Sequence, residues 1–145
     1  MVMTFKRRSA SAGFTLIELM VVIFVVGILS AVAIPLMRGR ADASKWSEAR
    51  SAAGSIRTAA RAYCAEMGRS YNFPGTTLTD LGFVITPGAA GGDLDGKYFT
   101  DECYSIVFNG YNDYLITVDA VASLSGEAPS APLQATMDET GTWTD

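Results

Sequence analysis

Few residues in this 145-residue sequence have the types and spacing that catalysis requires. The sequence contains no histidine, so the usual general base, the usual activator of a serine or cysteine nucleophile and the commonest metal ligand are missing. Serine, aspartate and cysteine are present, but nothing in the composition supplies their usual base. The composition therefore argues against an enzyme, and we expect no cofactor.

Two carboxylates in a glycine-rich stretch form a candidate cation site. Asp93 and Asp95 lie within residues 92–96, and Asp101 and Glu102 follow nearby. Carboxylate oxygens suit calcium, but the EF-hand spacing and its terminal bidentate glutamate are absent. A solvated acidic loop explains the pattern better. We therefore expect no bound metal, and Asp93 and Asp95 are the calcium candidates if one is bound.

Glu18 is the residue whose type and position most clearly indicate a functional role. It is the only charged residue in the apolar stretch 14–37. As a helix these residues span about 36 Å at ~1.5 Å per residue, enough to cross a hydrocarbon core of about 30 Å. A carboxylate inside a bilayer is costly and usually functional. An ordinary secretory signal peptide or a plain membrane anchor would explain the apolar stretch, but neither requires Glu18.

The stretch GFTLIELM, residues 13–20, resembles the N-terminal signature of type IV pilins and type II secretion pseudopilins. In that signature a short leader ends in glycine, phenylalanine follows, and an acid stands four residues later. Gly13, Phe14 and Glu18 occupy these positions. Pro35 also falls where many helices of this family carry a proline.

The resemblance implies a processed precursor that polymerises. A prepilin peptidase would remove leader 1–13 by cutting between Gly13 and Phe14, and the new amino terminus at Phe14 would be N-methylated. An assembly platform in the bacterial inner membrane would then move the single-pass chain from lipid into a periplasmic or extracellular filament. Its neighbours there would be copies of itself or other pilins or pseudopilins.

The position of Glu18 has a physical explanation under this resemblance. Cleavage creates a cationic amine at Phe14, one helical turn before Glu18, and an acid also suits the positive end of a helix dipole. In lipid Glu18 pairs with its own amine or stays protonated. In a filament it can meet the Phe14 amine of a neighbour, so that each charge compensates the other. We hypothesise that this pairing sets the axial register of incoming subunits.

The helix is expected to continue well beyond the apolar stretch. Pro35 removes one backbone donor and Gly39 adds slack, so we expect a kink or a loosened turn there. Beyond them a stripe of small and apolar residues recurs at steps of three and four: Trp46, Ala49, Ala53, Ile56, Ala60, Tyr63 and Met67. Such a stripe predicts that residues 38–68 are helical and pack on the protein's own sheet, with Gly68 as the stop.

Residues 69–145 are expected to form the head. Residues 70–97 are turn-rich and predict a connecting loop on the outside of a filament, with a short helical turn at 77–83. Strand patterns follow at residues 104–109, 114–121, 133–137 and 142–144. The fold class is therefore α+β, a long N-terminal helix whose second half packs on a small antiparallel sheet, as in pilins. The strand order is not readable.

The charges of the head are unevenly distributed. Residues 38–69 contain seven basic residues and three acidic ones, whereas residues 70–145 contain Lys97 as their only basic residue and eleven acids. An acidic head repels phosphate, so we expect no nucleic-acid binding by the head alone.

The two cysteines are candidates for a disulfide. Cys64 lies near the predicted end of the helix, and Cys103 begins the first predicted strand. An exported head meets an oxidising compartment, where a bridge would add about 3–4 kcal/mol by the chain-entropy estimate. The alternative is a pair of small buried side chains. The predicted bridge departs from the many pilins whose disulfide lies near the C-terminus.

These features predict a structural subunit of a type IV pilus-like filament. One alternative is a pseudopilin of a type II secretion or DNA-uptake system. Another is a membrane-anchored binding protein that does not polymerise, which would require Glu18 to be dispensable.

Overall fold

The computed structural model describes residues 13–89, 91–123 and 125–145. Apart from Gly13, the predicted leader lies outside the described part of the chain. One long helix, α1, precedes four strands in the order α1 (Leu16–Met67), β1 (Tyr104–Gly110), β2 (Asp113–Asp119), β3 (Gln134–Asp138) and β4 (Trp143–Thr144). This confirms the predicted α+β class.

The chain divides into two compact units, Met1–Met37 and Arg38–Asp145, and α1 contributes residues to both. In the first unit the described part of α1 is mostly apolar, with Glu18 as its one charged residue, and all of it is exposed except the half-buried Ser30. The helix is long and apolar enough there to cross a membrane, and none of its most apolar window is buried in the protein. Pro35 lies inside α1, where its missing N–H removes one helical hydrogen bond.

In the second unit α1 packs against the head through the predicted stripe. Five of its residues are buried: Trp46, Ala49, Ala53, Ile56 and Ala60. Tyr63 is half-buried, and its ring packs against Phe108 of β1. The last predicted position, Met67, was wrong, because it is 40% exposed and Cys64 is buried instead. An α-helix has 3.6 residues per turn, so a strict seven-residue stripe drifts off the contact face after a few turns.

The four strands form one antiparallel sheet in the order β1-β2-β3-β4. Ile106, Ile116 and Met137 are register partners across β1, β2 and β3, and all three are buried in the core shared with α1. Strand β2 ends at Asp119, earlier than predicted, because Ala120–Ala122 forms a 3-10 turn.

The loop between α1 and β1 is a packed part of the head. Residues 77–83 form successive hydrogen-bonded turns, not a helix. Four apolar side chains of the loop are nevertheless buried: Phe73, Leu78, Leu94 and Phe99. The loop therefore contributes core, which the prediction of an external connecting loop did not foresee.

A helix carboxylate fixes the end of this loop. Glu48 accepts hydrogen bonds from the backbone N–H groups of Lys97, Tyr98 and Phe99 at 3.1, 2.8 and 2.9 Å. The preceding residue, Gly96, leaves the space that this carboxylate occupies, since a Cβ at Gly96 would overlap the Glu48 side chain. The helix and the loop thus meet through three consecutive amides.

We predict that Gly96→Ala destabilises the head by about 1–3 kcal/mol, because the added methyl group displaces the Glu48 carboxylate from its amides. Urea unfolding of the detergent-solubilised chain, followed by near-ultraviolet circular dichroism, measures the change. Gly54→Ala is the matched control, since nothing lies within 4 Å of its added Cβ and the helical site favours alanine. Equal unfolding midpoints for the two variants would contradict the prediction.

Candidate processing and assembly site

The start of α1 is a reciprocal capping arrangement between Thr15 and Glu18. The Glu18 backbone N–H donates to the Thr15 hydroxyl at 3.3 Å. In return the Glu18 carboxylate accepts from the Thr15 backbone N–H at 3.2 Å and from its hydroxyl at 3.1 Å. This is a capping box, which satisfies donors that a helix N-terminus otherwise leaves unpaired. The sequence analysis missed it, although threonine followed three residues later by glutamate is its known signal.

The capping box places the predicted cleavage point directly before the helix. Gly13 and Phe14 are exposed and not helical, and α1 begins at Leu16. The Glu18 carboxylate is hydrogen-bonded to the amide of Thr15, the residue that follows Phe14. An amine created at Phe14 would therefore be one residue from the amide that this carboxylate already binds.

Behind the capping box lies an unpartnered apolar surface. Every large apolar side chain of residues 14–37 is between 47% and 86% exposed. Soluble monomers rarely expose a contiguous apolar surface of this size. Within the described residues nothing covers these side chains, so this part of the chain requires lipid or other protein chains for burial.

Asp93 and Asp95, the two calcium candidates, accept hydrogen bonds from backbone amides of the residues between α1 and β1. The Asp95 carboxylate accepts from the backbone N–H groups of Asp101, Gly91 and Gly92 at 2.9, 2.7 and 3.0 Å. Asp93 accepts from the Val84 N–H at 2.8 Å. Across the described part of the chain, no group of three or more His, Cys, Asp or Glu side chains could hold a metal ion.

Two further carboxylates anchor loops, and the sequence analysis missed both. Asp42 on α1 accepts from the Ser130 N–H at 3.1 Å and from its hydroxyl at 2.6 Å. Asp101, which is 2% exposed, accepts from the backbone N–H and the hydroxyl of Thr86. Their partners lie 88 and 15 residues away along the chain, so no local pattern could have revealed them.

The predicted Cys64–Cys103 disulfide is not formed in the described structure and stays a prediction. Both cysteines are free and buried. Cys64 lies near the end of α1, and Cys103 ends the 3-10 turn that directly precedes β1. Burial raises the pKa of the Cys103 thiol.

Comparison with known proteins identifies the N-terminal segment. Residues 8–34 match the family model described as the prokaryotic N-terminal methylation motif. This match contains Gly13, Phe14 and Glu18, and it ends one residue before Pro35.

Three curated relatives are similar to the chain. The type IV major pilin protein PilA of Myxococcus xanthus is 35% identical over 97 residues, which cover 61% of this chain and 42% of the relative. The fimbrial protein EcpC of Eikenella corrodens is 41% identical over 61 residues, 42% of this chain and 40% of the relative. The type IV major fimbrial protein FimA of Dichelobacter nodosus is 46% identical over 52 residues, 36% of this chain and 33% of the relative.

The chain therefore spans less than half the length of each of these relatives. No solved structure shows a significant match to it.

We predict that Thr15→Val weakens the start of α1 by about 1 kcal/mol, because valine keeps the shape but lacks the capping hydroxyl. Amide exchange at Glu18 and Leu19 in micelles should then accelerate roughly fivefold, as that energy implies. Thr15→Ser is the matched control and should exchange like the unchanged chain. Identical exchange in the valine variant would show that the capping box does not hold this end.

We predict that lowering the pH destabilises the loop whose backbone amides bind the Asp95 carboxylate. The amides of Asp101, Gly91 and Gly92 hold the pKa of the Asp95 carboxyl below its usual range. The folded protein therefore binds fewer protons than the unfolded chain, so this stabilisation is complete above the unfolded pKa of about 3.9 and is lost as the pH falls through the folded pKa.

The matching experiment compares the unchanged chain with Asp95→Asn by urea unfolding between neutral pH and about pH 3. The variant should be less stable at neutral pH and should lose less stability on acidification. If both proteins lose the same stability in acid, Asp95 is not the responsible group.

Proposed function

We propose that this chain, whose N-terminal segment is that of the type IV pilin family, is the precursor of a structural subunit of a type IV pilus-like filament. The observation that carries the proposal is the position of Glu18. It caps the first turn of an exposed apolar helix, directly after a Gly13–Phe14 bond that no helix protects.

The first proposed step is proteolytic. A prepilin peptidase cuts between Gly13 and Phe14 and releases leader 1–13, and the new amino terminus is then methylated. The exposed, non-helical backbone at this bond supports the step, since a protease requires an extended segment. The match of residues 8–34 to the methylation motif supports it independently.

In the second step the processed chain waits in the inner membrane as a single-pass protein. The apolar part of α1 has the length and composition to cross a bilayer. The Phe14 amine and the Glu18 carboxylate are then the charged groups at one end of an apolar segment. Their proximity lowers the cost of placing them near hydrocarbon, because each compensates the other.

In the third step an assembly platform extracts the chain, and contacts between helices replace lipid. The Glu18 carboxylate then binds the Phe14 amine of a neighbouring subunit. The capping box already turns the carboxylate towards the helix N-terminus, so pairing with a neighbour requires little rearrangement of its side chain. A misplaced subunit would leave two charges unpaired in an apolar core, and this cost selects one axial register.

The relatives favour a pilus over a secretion machine. The three described above are named as pilin or fimbrial proteins, and none as a pseudopilin. We therefore place a pseudopilin second, and an anchored binding protein that does not polymerise third. In all three cases the membrane segment is the same, so assembly is the property that separates them.

We predict that Glu18→Ala is still cleaved and inserted in the membrane but yields at least about tenfold fewer sheared filaments, because the neighbour's amine loses its partner. The assay uses cells that contain the assembly machinery. The yield of sheared filaments is expressed relative to the amount of mature chain in the membrane. Ser30→Ala, in the same apolar stretch, is the control and should assemble normally. Normal filament yield from Glu18→Ala would refute the proposed pairing.

A further inference from the structure

The packed half of α1 has flanks of opposite charge. Arg50, Arg57 and Arg61 are spaced seven and four residues apart, so they follow one side of the helix. Glu48 lies on the other side, next to Asp93 and Asp95 of the loop. We name these two surfaces the basic flank (Arg50, Arg57 and Arg61) and the acidic flank (Glu48, Asp93 and Asp95).

Among the described residues, no carboxylate forms an ion pair with the basic flank. Arg57 donates to the backbone carbonyls of Glu139 at 3.0 Å and Thr140 at 2.7 Å, and Arg50 lies over the ring of Trp143 at 5.8 Å. Arg61 is exposed.

In the described ranges the ion pairs are Lys45–Asp42 and Lys97–Glu127, so none of these three arginines is neutralised by an ion pair there. The guanidinium of Arg61 is thus open to a charged partner from outside the chain.

The acidic flank forms a cleft. It has a volume of about 450 Å³ and lies between α1 and the loop, with the serine hydroxyl groups of Ser51 and Ser55 also at its wall. Asp93 is exposed, and one of its oxygens accepts the Val84 N–H, which leaves the other available.

A second feature of this cleft is a buried hydroxyl group that lacks a hydrogen-bond partner among the described residues. Tyr104 also lines it and is 5% exposed, and its hydroxyl has no hydrogen-bond partner in the part of the chain that is described. A buried hydroxyl without a partner is costly, and an N–H donor that displaces the side chains enclosing it would find an acceptor there. The cleft therefore combines negative charge with an unused polar atom, as a site for a cationic side chain requires.

We propose that the acidic flank of one copy of this chain receives Arg61 of the next copy in the filament. This inference rests on the proposed function, since it requires polymerisation. The two surfaces lie on opposite sides of the same helix, so one contact uses the basic flank of one copy and the acidic flank of its neighbour. Such a head-to-tail contact produces an open helical polymer when its rotation does not close a ring.

A second copy fits the basic flank better than an extended polyanion does. The β3–β4 turn that Arg57 contacts bears the carboxylates of Asp138 and Glu139. A nucleic acid lying along the arginines would meet these negative charges, whereas a short carboxylate-bearing loop can reach Arg61 alone. Opposite charges on the two flanks also favour correct encounter of the copies.

The test is a charge-reversal cycle in cells that assemble the unchanged chain. Arg61→Glu and Asp93→Lys should each reduce the yield of sheared filaments by about tenfold, because each places like charges in contact. The double variant Arg61→Glu/Asp93→Lys should restore most of the yield, since the contact is then reversed but complementary. Yields of both single variants equal to that of the unchanged chain would overturn the proposal.

Because Asp93→Lys also removes the acceptor of the Val84 N–H, a second measurement tests the contact directly. The double variant Arg61→Cys/Asp93→Cys should give a ladder of disulfide-linked multimers when intact filaments are oxidised. The control Thr58→Cys/Asp93→Cys should remain monomeric, because Thr58 is exposed outside the basic flank. Cys64 and Cys103 are buried in both proteins.

The outcomes separate this contact from the proposed function. Filaments of Arg61→Cys/Asp93→Cys that dissociate into monomers after oxidation would overturn the contact and leave the pilus-like function standing. Absence of filaments from the unchanged chain would overturn the function and the contact with it.

Discussion

The constraint on which the account depends is a carboxylate at the start of an apolar helix. Glu18 is the only charged residue of residues 14–37, and their large apolar side chains have no cover within the described chain. The capping box with Thr15 satisfies part of the hydrogen-bonding capacity of Glu18 but does not neutralise its charge. A cationic amine at Phe14 would do so, and for this reason processing, membrane residence and assembly are coupled in our proposal.

Polar side chains of the same helix hold the irregular segments of the head in place. The buried stripe of α1 contains three alanines, which let the sheet approach closely but bury little apolar area each. Three charged side chains of α1 bind backbone atoms of three separate segments: Asp42 the β2–β3 connection, Glu48 the end of the loop and Arg57 the β3–β4 turn. These contacts fix irregular segments that have no secondary structure to hold them.

What could be predicted from the sequence was local. The extent of α1, the Gly13–Phe14–Glu18 signature and the strands were readable because periodicity and hydropathy are properties of neighbouring residues. The capping box was equally local and was overlooked. Whether Cys64 and Cys103 can meet depends on how β1 lies along α1, which only the tertiary structure defines. The loop-anchoring role of Asp95 was also hidden, because a carboxylate that binds backbone amides and one that binds calcium have the same sequence pattern.

The intact mass and N-terminal residue of the mature protein test the central claim most directly. Our account predicts that chains recovered from membranes and from filaments both begin with N-methylated Phe14, so that an amine is available to Glu18. A mature chain that keeps its leader would contradict the account, because no amine would then exist at Phe14. A chain that begins at Ile34, directly after the A-x-A sequence at residues 31–33, would contradict it equally, since a secretory signal peptidase would have removed Glu18 together with most of the apolar stretch.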